Sequence, residues 1–244
     1  MAVIVGTEQP DFLQGLGEAD SIRGLAGDDT ILAGEGADTV EGGVGADSVD
    51  GGAGDDYLSG EPENDTLHGG DGDDLVLGRL DSDLVFGDAG LDWVNGNGGD
   101  DTVHGGPDND MARGGQADDL VHGDAGDDSI MGDMGADTLS GDAGDDSMVG
   151  GNGADIFSIS SGDGYDQIQD FETAFDHVLF IRAEGTLNGI ALPDQPAALF
   201  ATIMQRAWDL AGGGVWIDLG AGNGVTLTGT IAKADLAPDD FLVV

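Results

Sequence analysis

A nine-residue unit repeats seventeen times from Gly6 to Ser158 without an insertion or deletion, and its sixth position is aspartate in every copy. Clear copies read GGVGADSVD (42–50), GGAGDDYLS (51–59) and GGNGADIFS (150–158). Sixteen of the seventeen open with glycine, Ala33 being the exception, and position 4 is glycine in eleven. Position 8 is Leu, Ile, Val, Met or Phe in sixteen copies, with Ala112 in the other. A fixed short period of this kind is the mark of a solenoid, in which each unit buries its apolar residue against stacked neighbours.

The nine positions divide the chemistry between them. Glycine at positions 1, 2 and 4 permits a turn with positive φ and lets carbonyl oxygens point inward past no Cβ. Aspartate at position 6 adds the negative charge that carbonyls lack, and six to eight such oxygens make a calcium shell. Side chains alternate across a strand, so a three-residue strand at positions 7–9 sends only position 8 inward. Leu13, Ile22, Ile31, Val40 and their successors then form the core. The candidate metal ligands are Asp20, Asp29, Asp38, Asp47, Asp56, Asp65, Asp74, Asp83, Asp92, Asp101, Asp110, Asp119, Asp128, Asp137, Asp146 and Asp155. A lone aspartate in a glycine-rich loop is explained by Asx turn chemistry, but a column in register is not.

Charge points the same way. Fifty acidic residues stand against six Lys and Arg, a net charge of -44, and aromatic residues make up 5%. Such a chain repels itself and is short of core, so a cation is needed to compact it. Nucleic acid and anionic lipid are poor partners at this charge. With no cysteine there is neither disulfide nor zinc–thiolate chemistry. The start MAVIVGTEQPDFLQG has no basic region or long apolar run, so a classical signal peptide and membrane insertion are not expected. At 244 residues, one elongated domain with a smaller C-terminal part is the natural organisation.

The pattern G-G-x-G-x-D-x-U-x resembles the RTX, or hemolysin-type calcium-binding, family. That resemblance implies an all-β parallel β-roll, a β-solenoid with two nonapeptides per coil, in which unit n stacks on unit n+2 and each Ca²⁺ lies between two stacked turns. Seventeen loops then offer roughly fifteen sites, each ion taking charge from the turns it joins. With strands about 4.8 Å apart, the rod is on the order of 40 Å long. The roll is assigned to 1–158 and a small mixed α/β capping and secretion-signal region to 159–244. Units with Glu63, Asp81, Asp108 or Ala117 at position 4 depart from the pattern, and the site shared by Asp65 and Asp83 is expected to be the weakest.

Beyond Ser158, GDGYDQIQDF resembles the stretch that closes RTX arrays, and Asp163, Asp166 and Asp170 are candidates for one more calcium site. Pro196 onward reads as a single helix ending at Gly212, with Leu199, Phe200, Ile203, Met204, Ala207 and Trp208 on one side. VWIDL and VTLT flank a GAGNG turn as a hairpin, and the terminal DDFLVV resembles a signal for a type I exporter.

No enzyme is expected, since the chain has no H-E-x-x-H and no G-x-S-x-G. His68, His104 and His122 all fall at position 9 of odd-numbered units, and a solvated surface pair is preferred there over a transition-metal site. The outward positions 7 and 9 become apolar in the middle: Leu75, Leu77, Trp93 and Met111 on one sheet, Leu84, Phe86 and Leu120 on the other. Either the C-terminal part folds over these or another molecule covers them. The chain therefore reads as an extracellular or cell-surface structural protein, self-associating head to tail or binding another extracellular protein. The alternative is a calcium-dependent chaperone or targeting module for a separate secreted enzyme.

Overall fold

The computed structural model describes all residues except 161, 181–185, 188–189, 192–195, 212, 222, 229–230 and 244. The chain winds into two parallel sheets, and each strand pairs with the strand two units away. Val3–Val5 pairs with Ser21–Ala26, which pairs with Thr39–Val44; Phe12–Gln14 pairs with Thr30–Glu35, which pairs with Ser48–Ala53. The offset is 18 residues, as in Ile22↔Val40 and Val85↔Val103, so two nonapeptides make one coil. Among the described residues one of these sheets has 13 strands and the other 11, with a separate two-stranded pair, Thr186–Leu187 and Ile190–Ala191.

The core is a single file. Ile22, Ile31, Val40, Leu58, Leu67, Val76, Val85, Val94 and Val103 are each fully buried, and Ala112 keeps its place among them. Strands are longer than the expected three residues: most run six, through positions 7–9 and on into positions 1–3 of the next unit. Position 1 thus also faces inward. The position-1 glycines do not adopt positive φ; that conformation falls at positions 2 and 4, as in Gly43 (121°) and Gly45 (139°). Position 1 is glycine for lack of room.

The stack does not stop where the nine-residue period stops. Tyr165–Ile168 pairs with the strand Ser147–Asn152, and His177–Phe180 pairs with Ile156–Ile159. Asn223–Leu227 and Phe241–Val243 then extend the two sheets by one more level. The expected hairpin is present as Val215–Gly220 antiparallel to Asn223–Leu227, with Gly222 of its turn outside the described residues. The expected long helix is not. It spans only Pro196–Met204, and Ala207–Asp209 is instead an edge strand paired with Val215–Ile217. The reason is tertiary: Arg206 donates to the Asp218 carbonyl at 2.6 Å and its carboxylate at 2.8 Å, which pulls the chain out of the helix and along the hairpin. Ile203 and Ala207 are still buried, but Trp208 points to solvent. Gly212 and the side chain of Leu199 lie outside the described residues.

The middle of the roll presents columns of outward side chains. Tyr57, Leu75, Trp93 and Met111 are in register on the 13-stranded sheet, with Trp93 49% and Met111 41% exposed. The C-terminal part extends the end of the roll and leaves these two residues open. On the other sheet His68, Phe86, His104 and His122 stack as near-parallel rings with centroids 4.4, 5.1 and 4.8 Å apart.

A core this narrow gives each inward residue a large share of the stability. Leu67→Ala is expected to cost about 2–5 kcal/mol, while Ser48→Ala on the exposed face changes stability by less than about 0.5 kcal/mol. Denaturant midpoints measured in one buffer check this; equal effects would mean the inward file is not the core.

Candidate metal centres

Every position-6 aspartate from Asp20 to Asp155 is buried, none more than 4% exposed. One carboxylate oxygen, Oδ1, accepts the backbone N–H of the aspartate one coil earlier: Asp47 from Asp29, Asp65 from Asp47, Asp83 from Asp65 and Asp101 from Asp83, all at 2.8 Å. The aspartates are thus joined into two ladders, one along each edge of the roll. The other oxygen, Oδ2, has no hydrogen-bond partner in fifteen of them, Asp29 through Asp155. A buried carboxylate oxygen without a donor is costly unless a cation takes the place of the donor.

The fifteen coincide with a second feature. In the first two units the backbone N–H at position 2 closes the turn onto the carboxylate: Thr7 donates to Asp11 Oδ2 at 2.6 Å, and Leu16 donates to Asp20 Oδ2 at 2.8 Å. In units three to seventeen position 2 instead takes a positive φ, even where it is Leu25 (87°), Glu61 (80°), Arg79 (96°), Asp88 (69°) or Asn97 (75°). These turns are open, and their Oδ2 oxygens are left without a backbone donor. Asp20, although one of the sixteen candidates, is saturated by Ala2 and Leu16 and so differs from the rest.

The space beside Oδ2 is lined by oxygen from two coils. A Cβ built on Gly105 would stand 2.7 Å from the carbonyl oxygen of Gly123 and 2.8 Å from Asp110 Oδ2. Carboxylate and carbonyl thus converge on the volume that glycine leaves free. Hard oxygens from two stacked turns, with net negative charge and no nitrogen or sulfur, suit calcium.

Burial pushes these carboxyls well above the usual range, with the N–H from the earlier aspartate offsetting part of the effect and neighbouring carboxylates adding to it. Asp47 and Asp101 rise to about 6, Asp74 and Asp110 to about 7, and Asp65 and Asp119 to about 8. Asp20 moves the other way, held low by the N–H groups of Ala2 and Leu16.

The three C-terminal candidates do not converge. Asp166 accepts the N–H of Asp146 at 3.3 Å, so it carries one ladder a coil further, and burial pushes it up to about 8. Asp163 binds back to the Ser160 hydroxyl at 2.6 Å, and Asp170 caps the N–H groups of Gly150 and Gly151 at 2.9 and 2.8 Å. Sequence reasoning passed over Asp176, which carries the other ladder: it accepts the N–H of Asp155 at 3.1 Å and is closed by the N–H of Glu172 at 2.7 Å. Its signal was present as the fragment Asp176-His177-Val178, which keeps positions 6–8 of the unit after the nine-residue spacing has lapsed.

A coiled, two-sheet stack of nonapeptide turns with a ladder of inward carboxylates defines a calcium-binding β-roll. The sequence profile of the RTX calcium-binding nonapeptide repeat matches overlapping windows from residue 5 to residue 168, including 5–40, 50–85, 104–139 and 131–168, and the chain belongs to that family. It binds calcium through these repeats. No curated protein matches it in sequence. Among solved structures it is similar to the extracellular lipase LipA from Serratia marcescens, with 17% identity and a TM-score of 0.43 over 89% of this chain and 45% of the lipase. It is also similar to the AlgE6R3 subunit of the Azotobacter vinelandii mannuronan C5-epimerase, with 24% identity and a TM-score of 0.41 over 57% of this chain and 80% of that subunit. The chain thus spans less than half the length of the lipase.

Two outcomes are expected. A carboxyl whose folded pKa lies above its unfolded 3.8 binds its proton more tightly in the fold, so it opposes folding only once ionised. In chelator the roll is therefore expected to be β-rich near pH 4 and to lose that structure as pH rises through about 6 to 8; circular dichroism that is flat across this window contradicts it. Second, Asp101→Asn keeps an acceptor for Asp83 but removes a charge, and is expected to lower the number of calcium ions retained per chain by one or two, read by atomic emission.

Proposed function

We propose that the chain is a secreted, non-enzymatic structural and interaction protein that folds when it meets extracellular calcium and then self-associates into a filament, matrix or surface layer. The observation that carries this reading is the ladder of fifteen buried, unpaired carboxylate oxygens, which makes a cation part of the fold throughout the repeat array. About fifteen calcium ions occupy it, one per open turn. Calcium modules of the extracellular kind bind at about 10⁻⁴–10⁻³ M, so the chain stays unfolded in the cell, passes a type I exporter in that state and compacts outside. Residues 159–244 cover the last coil and carry the export signal.

Self-association is supported by the apolar column in which Trp93 and Met111 are exposed beside a half-buried Leu75, and by the exposed Val3, Val5 and Phe12 on the strands of the first coil. Apolar columns on a sheet of this charge fit a second copy of the chain, because about fifteen calcium ions would neutralise most of the net charge of -44 and weaken the repulsion that keeps copies apart. Sedimentation in saturating calcium tests this. Association that disappears in chelator and is weakened at least tenfold by Trp93→Ser with Met111→Ser is expected, and removal of residues 1–14 reports whether the contact runs head to tail. A calcium-loaded chain that stays monomeric at high concentration but binds a secreted enzyme would replace this reading with that of an accessory module.

A further inference from the structure

Position 9 of one unit and position 2 of the next lie two residues apart on one strand and face the same way. The neighbour diagonally above position 9 is therefore 18 plus 2 residues on. This places an aspartate beside each histidine of the outer ladder: His68 Nδ1 lies 2.9 Å from Asp88, His104 Nδ1 3.0 Å from Asp124 and His122 Nδ1 2.8 Å from Asp142. One of the three pairs differs. The residue two places after His68 is Gly70 and after His104 is Gly106, but after His122 it is Asp124. His122 alone of the three has a carboxylate both beside it on its own strand and above it on the next coil.

The ligand atoms of His122, Asp124 and Asp142 all lie within 4.8 Å of one another, and the three side chains are partly buried. Among the described residues no other group of three such side chains comes together in this way. The His104 ring is stacked on that of His122 at 4.8 Å and 4°, and supplies a second imidazole bonded to the same Asp124. A shallow groove of about 360 Å³ lined by Phe86, His104, Pro107 and Asp124 borders the cluster at Asp124.

We infer that His122, Asp124 and Asp142 form a site for one first-row divalent transition ion of the zinc class, on the outer face and separate from the calcium seats. An imidazole nitrogen with two carboxylates is a borderline donor set, which calcium, a cation of oxygen shells, does not favour. Metal–ligand bonds of about 2.0–2.2 Å need only a rotation of the two carboxylates, each more than a third exposed. The ion takes the place of the proton that His122 shares with Asp142.

The competing account is an ordinary histidine–carboxylate pair on a surface, and zinc titration of the intact, calcium-saturated protein separates the two. Calorimetry is expected to show one zinc ion per chain that excess calcium does not displace. His122→Ala and Asp142→Asn should each weaken it at least tenfold. His68→Ala, in the same ladder but without the second carboxylate, should leave it unchanged. Identical isotherms for the wild type and His122→Ala, or equal weakening by His68→Ala, overturns the assignment. Should His122→Ala fail to fold in calcium, Cu²⁺ bound to the wild type decides by electron paramagnetic resonance: coupling to at least one imidazole nitrogen is expected, and an all-oxygen spectrum overturns it.

Discussion

Everything in this roll depends on burying a column of like charges. Neighbouring position-6 aspartates on one edge stand one strand spacing apart, about 4.8 Å, and at an effective dielectric constant of about 20 two such charges repel by roughly 3.5 kcal/mol. Oδ1 escapes part of that cost by accepting a backbone N–H from the coil below. Oδ2 has no such relief, and the inward file of mostly single aliphatic residues is too narrow to offset it. Protons or cations must supply the balance. Calcium is therefore a structural component here in the sense that a disulfide is in small-cored disulfide-rich proteins, and the absence of cysteine is consistent with that substitution.

Most of the fold was legible because the period is strict. Asp at position 6 and an aliphatic residue at position 8 are enough to give the turn and the core, while the two-unit coil and the stacking offset seen in Ile22↔Val40 were implied by the resemblance to RTX repeats. What the period could not reveal were features set by the neighbouring coil. Glycine at position 1 looked like a turn residue, yet its role is to leave room for Asp Oδ2 and a carbonyl one coil away. Asp166 and Asp176 continue the ladders at offsets of 20 and 21 residues, which a search in steps of nine passes over. The helix was overextended because Ala207 and Trp208 fit its apolar side, and only the pairing of Arg206 with Asp218 shows that the strand wins.

The outer faces obey a different logic from the interior. Inside, position 6 is always aspartate, position 1 is glycine in all copies but one, and position 8 is restricted to apolar residues by the single-file core. Outside, the same backbone displays long columns in register, so two substitutions eighteen or twenty residues apart become neighbours. The ring ladder from His68 to His122 and the column from Tyr57 to Met111 both arise in this way. A solenoid of this kind can thus acquire a new surface site by point changes, without altering the turns that fold it.

The closed turns at the two ends have a consequence for how the molecule comes apart. Asp11 and Asp20 at one end, and Asp176 at the other, bind both carboxylate oxygens or close their turns with their own backbone N–H groups. In most repeat arrays the terminal units fray first, because they have one neighbour instead of two. Here the terminal turns are the ones able to persist when ions are withdrawn, while the open interior turns lose what holds them. Withdrawal of calcium is therefore expected to loosen the open interior turns before the closed ones that flank them.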